Sequence, residues 1–196
     1  MIATEHWDFG FMNTNLLIIT ALESELKREA LPAGVEIVYS GIGKINATLT
    51  TVKAIQQFSP KRILNFGTAG KVNPALHGLL SIAKVIQRDM HTEPLAPRGM
   101  TPFCEKPHEY HSSGKYLCGS GDSFITAHDP WLDSQGVDVV DMELFAIAAS
   151  AHHHDIPWAA YKYITDDANE HSGNDWQTKV NHGQDLFLQE LKQVLS

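Results

Sequence analysis

Short apolar, β-branched runs alternate with longer segments of helical period along almost the whole chain. "LLIITA" (16–21), "VEIVYS" (35–40), "RILNFG" (62–67), "SIAKVIQR" (81–88), "YLCGS" (116–120), "VDVVD" (137–141) and "WAAYKYIT" (158–165) each read as a buried strand. Between them, "LESELKREAL" reads as a polar helix with Leu22, Leu26 and Leu31 on one side. "KINATLTTVKAIQQF" places Ile45, Leu49, Val52 and Ile55 at helical spacing, and the last segment sets Phe187, Leu191 and Val194 on a helical stripe. Such alternation predicts an α/β domain with a mostly parallel central sheet covered by helices, in which ligands bind outside the carboxyl ends of the strands. The expected organisation is one domain over 15–196, preceded by an extension, 1–14, whose acidic residues stand where a secretion signal would be basic.

The remaining composition narrows the partners. A formal net charge of −8, with no run of Lys and Arg, argues against a nucleic-acid polymer. The longest apolar stretches are too short to span a bilayer, so no membrane partner is expected. Two cysteines, Cys104 and Cys118, have neither metal-ligand nor disulfide-framework spacing, which fits a reducing cytoplasm. One segment resists the alternation: 90–115 carries four of the nine prolines and little periodicity, and reads as a long loop.

The residues just beyond each strand point to chemistry. The exits read "TALESE", "SGIGK", "FGTAGK", "GDSFI", "DME" and "TDDAN", so nearly every one carries glycine, hydroxyl or carboxylate, the groups that bind sugars and phosphates. Each piece alone is weak. "SGIGK" lacks the third glycine of a dinucleotide fingerprint, since Asn46 stands there, and neither glycine segment has the Lys-Ser/Thr ending of a phosphate loop. Tight turning would explain either one equally well. Two acids, Asp141 and Glu143, flank Met142 where an apolar strand becomes an apolar helix, and either a helix cap or a ligand would account for them.

In order, "TALESE … SGIGKINAT … NFGTAG … SGDSFI … VVDMELFAIA … YITDDA" resembles the purine nucleoside phosphorylase/nucleosidase superfamily, closest to its 5′-methylthioadenosine/S-adenosylhomocysteine nucleosidase branch. The resemblance runs from about Leu16 to the C-terminus. It implies a mixed sheet surrounded by helices, a homodimer or larger homo-oligomer, a small-molecule nucleoside substrate, and neither cofactor nor metal. It also implies roles. Asp166, after Thr165, would protonate the purine at N7, and Glu25 would activate water. Glu143 would grip the ribose hydroxyls, with Met142 under the sugar and Asp141 supporting the turn. Phe124 would stack on the base while the backbone of Ile125 reads its edge. Ser40 and the Gly67-Thr68-Ala69-Gly70 loop would approach the sugar and the attacking water.

This chemistry needs an acid on one side of the sugar and a base on the other, because an N-glycosidic bond breaks through an oxocarbenium-like species. Asp166 would have to carry a proton near neutral pH, while Glu143 would have to stay ionised. Simpler readings stand beside these. Glu25 could be part of a solvated helix face, and Asp166 or Asp167 a helix N-cap. His152-His153-His154 reads as a polar helix terminus, because adjacent side chains on a helix point apart. The chain departs from the family pattern at Lys71, Asp141, Leu144 and Phe145, and it is shorter in the regions that receive the 5′ substituent. Arg88, Asp89, His91 and Arg98 are therefore expected to form an altered pocket wall. The resemblance leaves two further activities open, a phosphate-dependent phosphorylase and a non-catalytic nucleoside-binding protein. Asn65 occupies the place where phosphorylases carry a phosphate-clamping arginine, which favours water as the nucleophile.

Overall fold

The computed structural model describes residues 15–167 and 181–195, so the 1–14 extension lies outside the described residues. In chain order the elements are β1 (Leu16–Thr20), β2 (Glu36–Tyr39), α1 (Lys44–Phe58), β3 (Arg62–Lys71), β4 (Leu79–Gln87), β5 (Glu109–His111) and β6 (Tyr116–Ser120). They continue with α2 (Pro130–Gln135), β7 (Val139–Asp141), α3 (Leu144–His153), β8 (Trp158–Asp166) and α4 (Gln184–Leu195). The eight strands form one mixed sheet in the order β2-β1-β3-β7-β6-β4-β5, with β8 paired to both β3 and β4.

Two long strands give the sheet its shape. β3 pairs with β1 through 62–65, with β8 along 63–70 and with β7 at 70–71. β4 likewise serves β8, β6 and β5. The path β3-β7-β6-β4-β8-β3 therefore closes on itself, and the exits of β3, β6, β7 and β8 are drawn round one small ring. Two layers cover the rest. Leu17, Ile19 and Ile63 pack against Ala47, Ile55 and Phe58 of α1 and Ala146 and Ile147 of α3. On the other face Leu16, Ile18, Leu64 and Phe66 pack against Leu26 and against Phe187 and Leu191 of α4.

Several expectations change here. Residues 22–31 do not form a helix: apart from a 3₁₀ turn at Arg28–Ala30 they run in turns, because the Glu25 carboxylate folds back to accept the N–H groups of Ala21 and Leu22. The "GTAG" stretch is not a loop but the second half of β3, since its backbone finds partners on β8 and β7. The long 90–115 segment contains a short strand, β5, paired antiparallel to β4. α1 buries Ala47, Thr51, Ala54, Ile55 and Phe58, leaving Ile45 and Leu49 at 73% and 66% exposure. The apolar stripe is therefore split: Ile55 faces the core, Val52 is half-buried, and Ile45 and Leu49 face outward. His152 and His153 end α3 and His154 caps it, as a polar helix terminus.

The C-terminal helix is anchored by Leu191 and by Phe187, which stacks on Phe66 with centroids 4.4 Å apart, both rings being fully buried. Replacing Phe187 with alanine is expected to lower the unfolding free energy by about 3–5 kcal/mol, read from the denaturant midpoint at unchanged m-value.

Candidate active site

The strand exits meet at one cleft. Its lining includes Glu25, Thr68, Ala69, Gly70, Phe124, Ile125, Met142, Glu143, Thr165 and Asp166. The three carboxylates named from the sequence thus share one cavity, and all three are more than nine-tenths buried. Ser40 stands apart from it, its hydroxyl donating to the carbonyl of Gly41 at 2.8 Å. Gly67 lies behind the lining. A Cβ there would come within 3.2 Å of Lys162 Nζ and 3.6 Å of Glu25 Oε1, so the missing side chain lets β3 approach both groups.

Glu25 is buried at 3% exposure rather than solvated on a helix face. Its Oε2 accepts from Thr20 Oγ1 and from the N–H groups of Ala21 and Leu22, at 3.0, 3.1 and 3.0 Å. Its Oε1 accepts from Thr68 N–H at 2.9 Å and Thr68 Oγ1 at 2.8 Å. One carboxylate therefore sews the exit of β1 to the middle of β3, the kind of multiple satisfaction that a buried charge requires. At the end of β8, Thr165 Oγ1 donates to Asp166 Oδ2 at 3.0 Å.

The acids around Met142 divide their work. Asp141 Oδ2 accepts the N–H of Leu144 at 2.9 Å, capping α3, and pairs with Lys162 Nζ at 2.7 Å. Its Oδ1 accepts the Ser120 hydroxyl at 2.5 Å, and Ser120 Oγ in turn accepts the N–H of Phe145. Burial would raise the Asp141 carboxyl, but the charge and hydrogen bond of Lys162 hold it below its usual range. Glu143 lies beside this pair and points to the cleft, its Oε1 accepting Gly43 N–H at 2.8 Å. Burial, and then the neighbouring Asp141 charge, push Glu143 up to about 7. Water has been excluded from this carboxyl and an anion stands next to it, and both favour its protonated form.

Sequence reasoning missed Lys162. It is 1% exposed and forms the buried counterion of Asp141. The available signal was a lysine in the middle of the apolar strand "WAAYKYIT", a residue type almost never buried unpaired. The expected pocket wall is also corrected, since no residue of 90–115 lines the cleft. Arg98 instead donates to the carbonyl of Arg88 and grips Asp129 at 2.6 and 3.1 Å while lying over the Trp131 ring, which folds the loop onto α2. Arg88 does line the cleft, yet it donates to the carbonyls of Gly119, Gly121 and Ser123 and to the Ser123 hydroxyl. Ala21, Ile42, Ser123, Val140 and Asp141 complete the lining. Among the described residues, no group of three or more His, Cys, Asp or Glu side chains could hold a metal ion.

The family model described as the phosphorylase superfamily matches residues 33–196. The chain belongs to this superfamily. Relatives include the 5′-methylthioadenosine/S-adenosylhomocysteine nucleosidase of Staphylococcus haemolyticus, 29% identical with 69% of each chain covered. That of Anoxybacillus flavithermus is 27% identical, with 71% of each chain covered. Among solved structures, a Helicobacter pylori nucleosidase of that name, bound to butyl-thio-DADMe-Immucillin-A, superposes with a TM-score of 0.84 at 21% identity. That match covers 93% of this chain and 98% of the other. A futalosine hydrolase mutant from the same organism gives 0.82 at 20% identity, covering 91% and 97%. The mixed single-domain α/β architecture of this superfamily is thus the one observed.

The raised Glu143 carboxyl has a measurable consequence. Between about 4.5 and about 7 the unfolded chain loses the Glu143 proton while the folded protein keeps it. Folding stability is therefore expected to fall as pH rises through that window. In Glu143→Gln this loss is absent, so the difference in Tm between the two proteins, followed from pH 4.5 to 7, checks the sign.

Proposed function

We propose that this protein is a nucleosidase: a hydrolase that splits the N-glycosidic bond of a 5′-modified purine nucleoside into free base and sugar. The observation that carries this reading is the convergence of Asp166, Glu25 and Glu143 on one cleft. Asp166 donates a proton to N7 of the purine, so that the base leaves neutral as the C1′–N9 bond breaks. Glu25 takes a proton from the water that attacks C1′ of the oxocarbenium-like sugar, and the Thr68 hydroxyl steadies its carboxylate. Glu143 accepts hydrogen bonds from the ribose 2′- and 3′-hydroxyls; those donors favour its ionised form and draw its proton affinity back down on binding. Met142 lies under the sugar, Phe124 closes over the base and Ile125 offers its backbone to the base edge. The name of the relatives, 5′-methylthioadenosine/S-adenosylhomocysteine nucleosidase, supports a substrate altered at the 5′ position.

Water is preferred to phosphate on a specific observation. Asn65, where a phosphate-clamping arginine would stand, is 2% exposed and turned away from the cleft, its Nδ2 donating to the carbonyl of Ile19 at 2.9 Å. Among the described residues, Arg88 is the one guanidinium in the lining, and its donors are directed to carbonyls. Purified protein in phosphate-free buffer is expected to release free base from 5′-methylthioadenosine or a related nucleoside; strict dependence on phosphate would reassign it as a phosphorylase. Asp166→Asn should lower kcat by about 10²–10⁴-fold while nucleoside still binds, measured by base release and calorimetry. Tight binding by the unaltered protein without turnover of any nucleoside would make it a binding protein.

The same reading includes self-association and a cytoplasmic setting. Ile42, Ile45 and Leu49 leave an apolar strip exposed at the start of α1, beside the cleft that Ile42 lines. Light scattering is expected to report a homodimer or larger assembly, and Leu49→Glu to shift it toward monomer.

A further inference from the structure

Outside the groups given a part in the reaction, a compact ion network joins α1 to the exits of β4 and β6. Lys44 Nζ lies 2.5 Å from Asp89 Oδ1, 2.9 Å from Gln87 Oε1 and 3.8 Å from Asp122 Oδ2. Asp89 Oδ2 accepts Asp122 N–H at 2.8 Å, and Asp122 Oδ1 accepts Lys44 N–H at 2.7 Å. One residue earlier, Gly43 N–H donates to Glu143 Oε1. Two consecutive amides at the start of α1 thus hold two different sides of the cleft: Glu143 on one, and on the other the 121–125 loop that carries Phe124 and Ile125. Gly43 reaches this geometry at φ +94, and a Cβ there would stand 3.2 Å from Asp122 Oδ1.

The loop is pressed against the same network from below. A Cβ at Gly121 would come within 2.9 Å of Arg88 Cγ and 3.0 Å of Asp89 Cγ, so no side chain fits between them. Phe124 itself is 49% exposed, and little core packing fixes it in place. Burial would raise the Asp89 carboxyl, but the Lys44 hydrogen bond and the Asp122 amide hold it low. The Asp89 carboxylate therefore stays ionised under ordinary conditions. Its side chains are 18–44% exposed, too wet for a large stabilising contribution, so its geometry matters more than its energy.

We infer that Lys44, Asp89 and Asp122 are positioning residues that lock the 121–125 loop to the first turn of α1, holding the base side of the cleft in register with Glu143 on the sugar side. This rests on the nucleosidase reading for what the loop touches, but not for the lock itself. The test uses the full chain, with Asp89→Asn and Lys44→Met as breaking variants and Lys44→Arg as the conservative one. Hydrogen exchange of 121–125 is expected to rise about tenfold in both breaking variants while that of α3 stays constant. With 5′-methylthioadenosine as probe, KM should rise about tenfold against a change in kcat of about threefold or less, and Lys44→Arg should restore both exchange and KM. Unchanged exchange at 121–125, an increase shared equally by α3, or a lower Tm with KM unaltered would each overturn the inference. Should Asp89→Asn fail to fold, Asp122→Ala removes the same link at a more exposed position and is read identically. If the unaltered protein cleaves no nucleoside, the functional reading fails, and the exchange experiment still decides the lock.

Discussion

The Lys162–Asp141 pair is the constraint around which this site is built. Both side chains are at 1% exposure or less, and neither charge could remain so deep without the other. The pair fixes where α3 begins, because the remaining lone pairs of Asp141 accept Leu144 N–H and the Ser120 hydroxyl. It also places an anion beside Glu143, in a position where water cannot screen it. Burial raises the proton affinity of Glu143 most, and the anion that starts the helix adds to it. Buried pairs of this sort contribute little net stability against an apolar replacement of equal shape, whereas removing one partner strands the other charge.

Closure of the sheet does the complementary work of gathering. In an open parallel sheet the strand exits lie along a line, and residues on distant strands cannot meet. Here β3 and β4 each serve three neighbours, so the exits of β3, β6, β7 and β8 surround one cleft. Glu25 then reaches across from the β1 exit to Thr68, and the first turn of α1 spans from Glu143 to Asp122. Each contact joins segments far apart in the chain, which makes the cleft a product of topology rather than of any local motif.

The sequence was least informative where tertiary contacts overrode local pattern. "LESELKREAL" has helical composition, but a side chain that bonds its own backbone competes with the helix, and five donors around Glu25 outweigh propensity. The glycines of "GTAG" suggest a turn because glycine usually marks one. In the folded chain they continue a strand, and at Gly67 the absent side chain admits Lys162 and Glu25. The apolar period of α1 identifies a helix correctly but marks its buried face only at Ile55, toward the helix end. Small residues, Ala47, Thr51 and Ala54, pack against the sheet, while Ile45 and Leu49 point away from it.

What the sequence alone determined was the class of fold, the positions of seven of the eight strands and the chemical character of their exits. Those come from short-range rules: a strand buried on both faces must be apolar, and a polar group at its end must be there for a cap or a ligand. Membership of the superfamily was likewise legible from six motifs in order. Only the tertiary structure decided that Lys162 balances Asp141, that Glu143 holds its proton to about neutral pH, and that 90–115 folds away from the cleft. Proton affinity and pocket shape depend on which groups lie near one another across the fold and on how much water remains between them. Neither quantity is written in residue order.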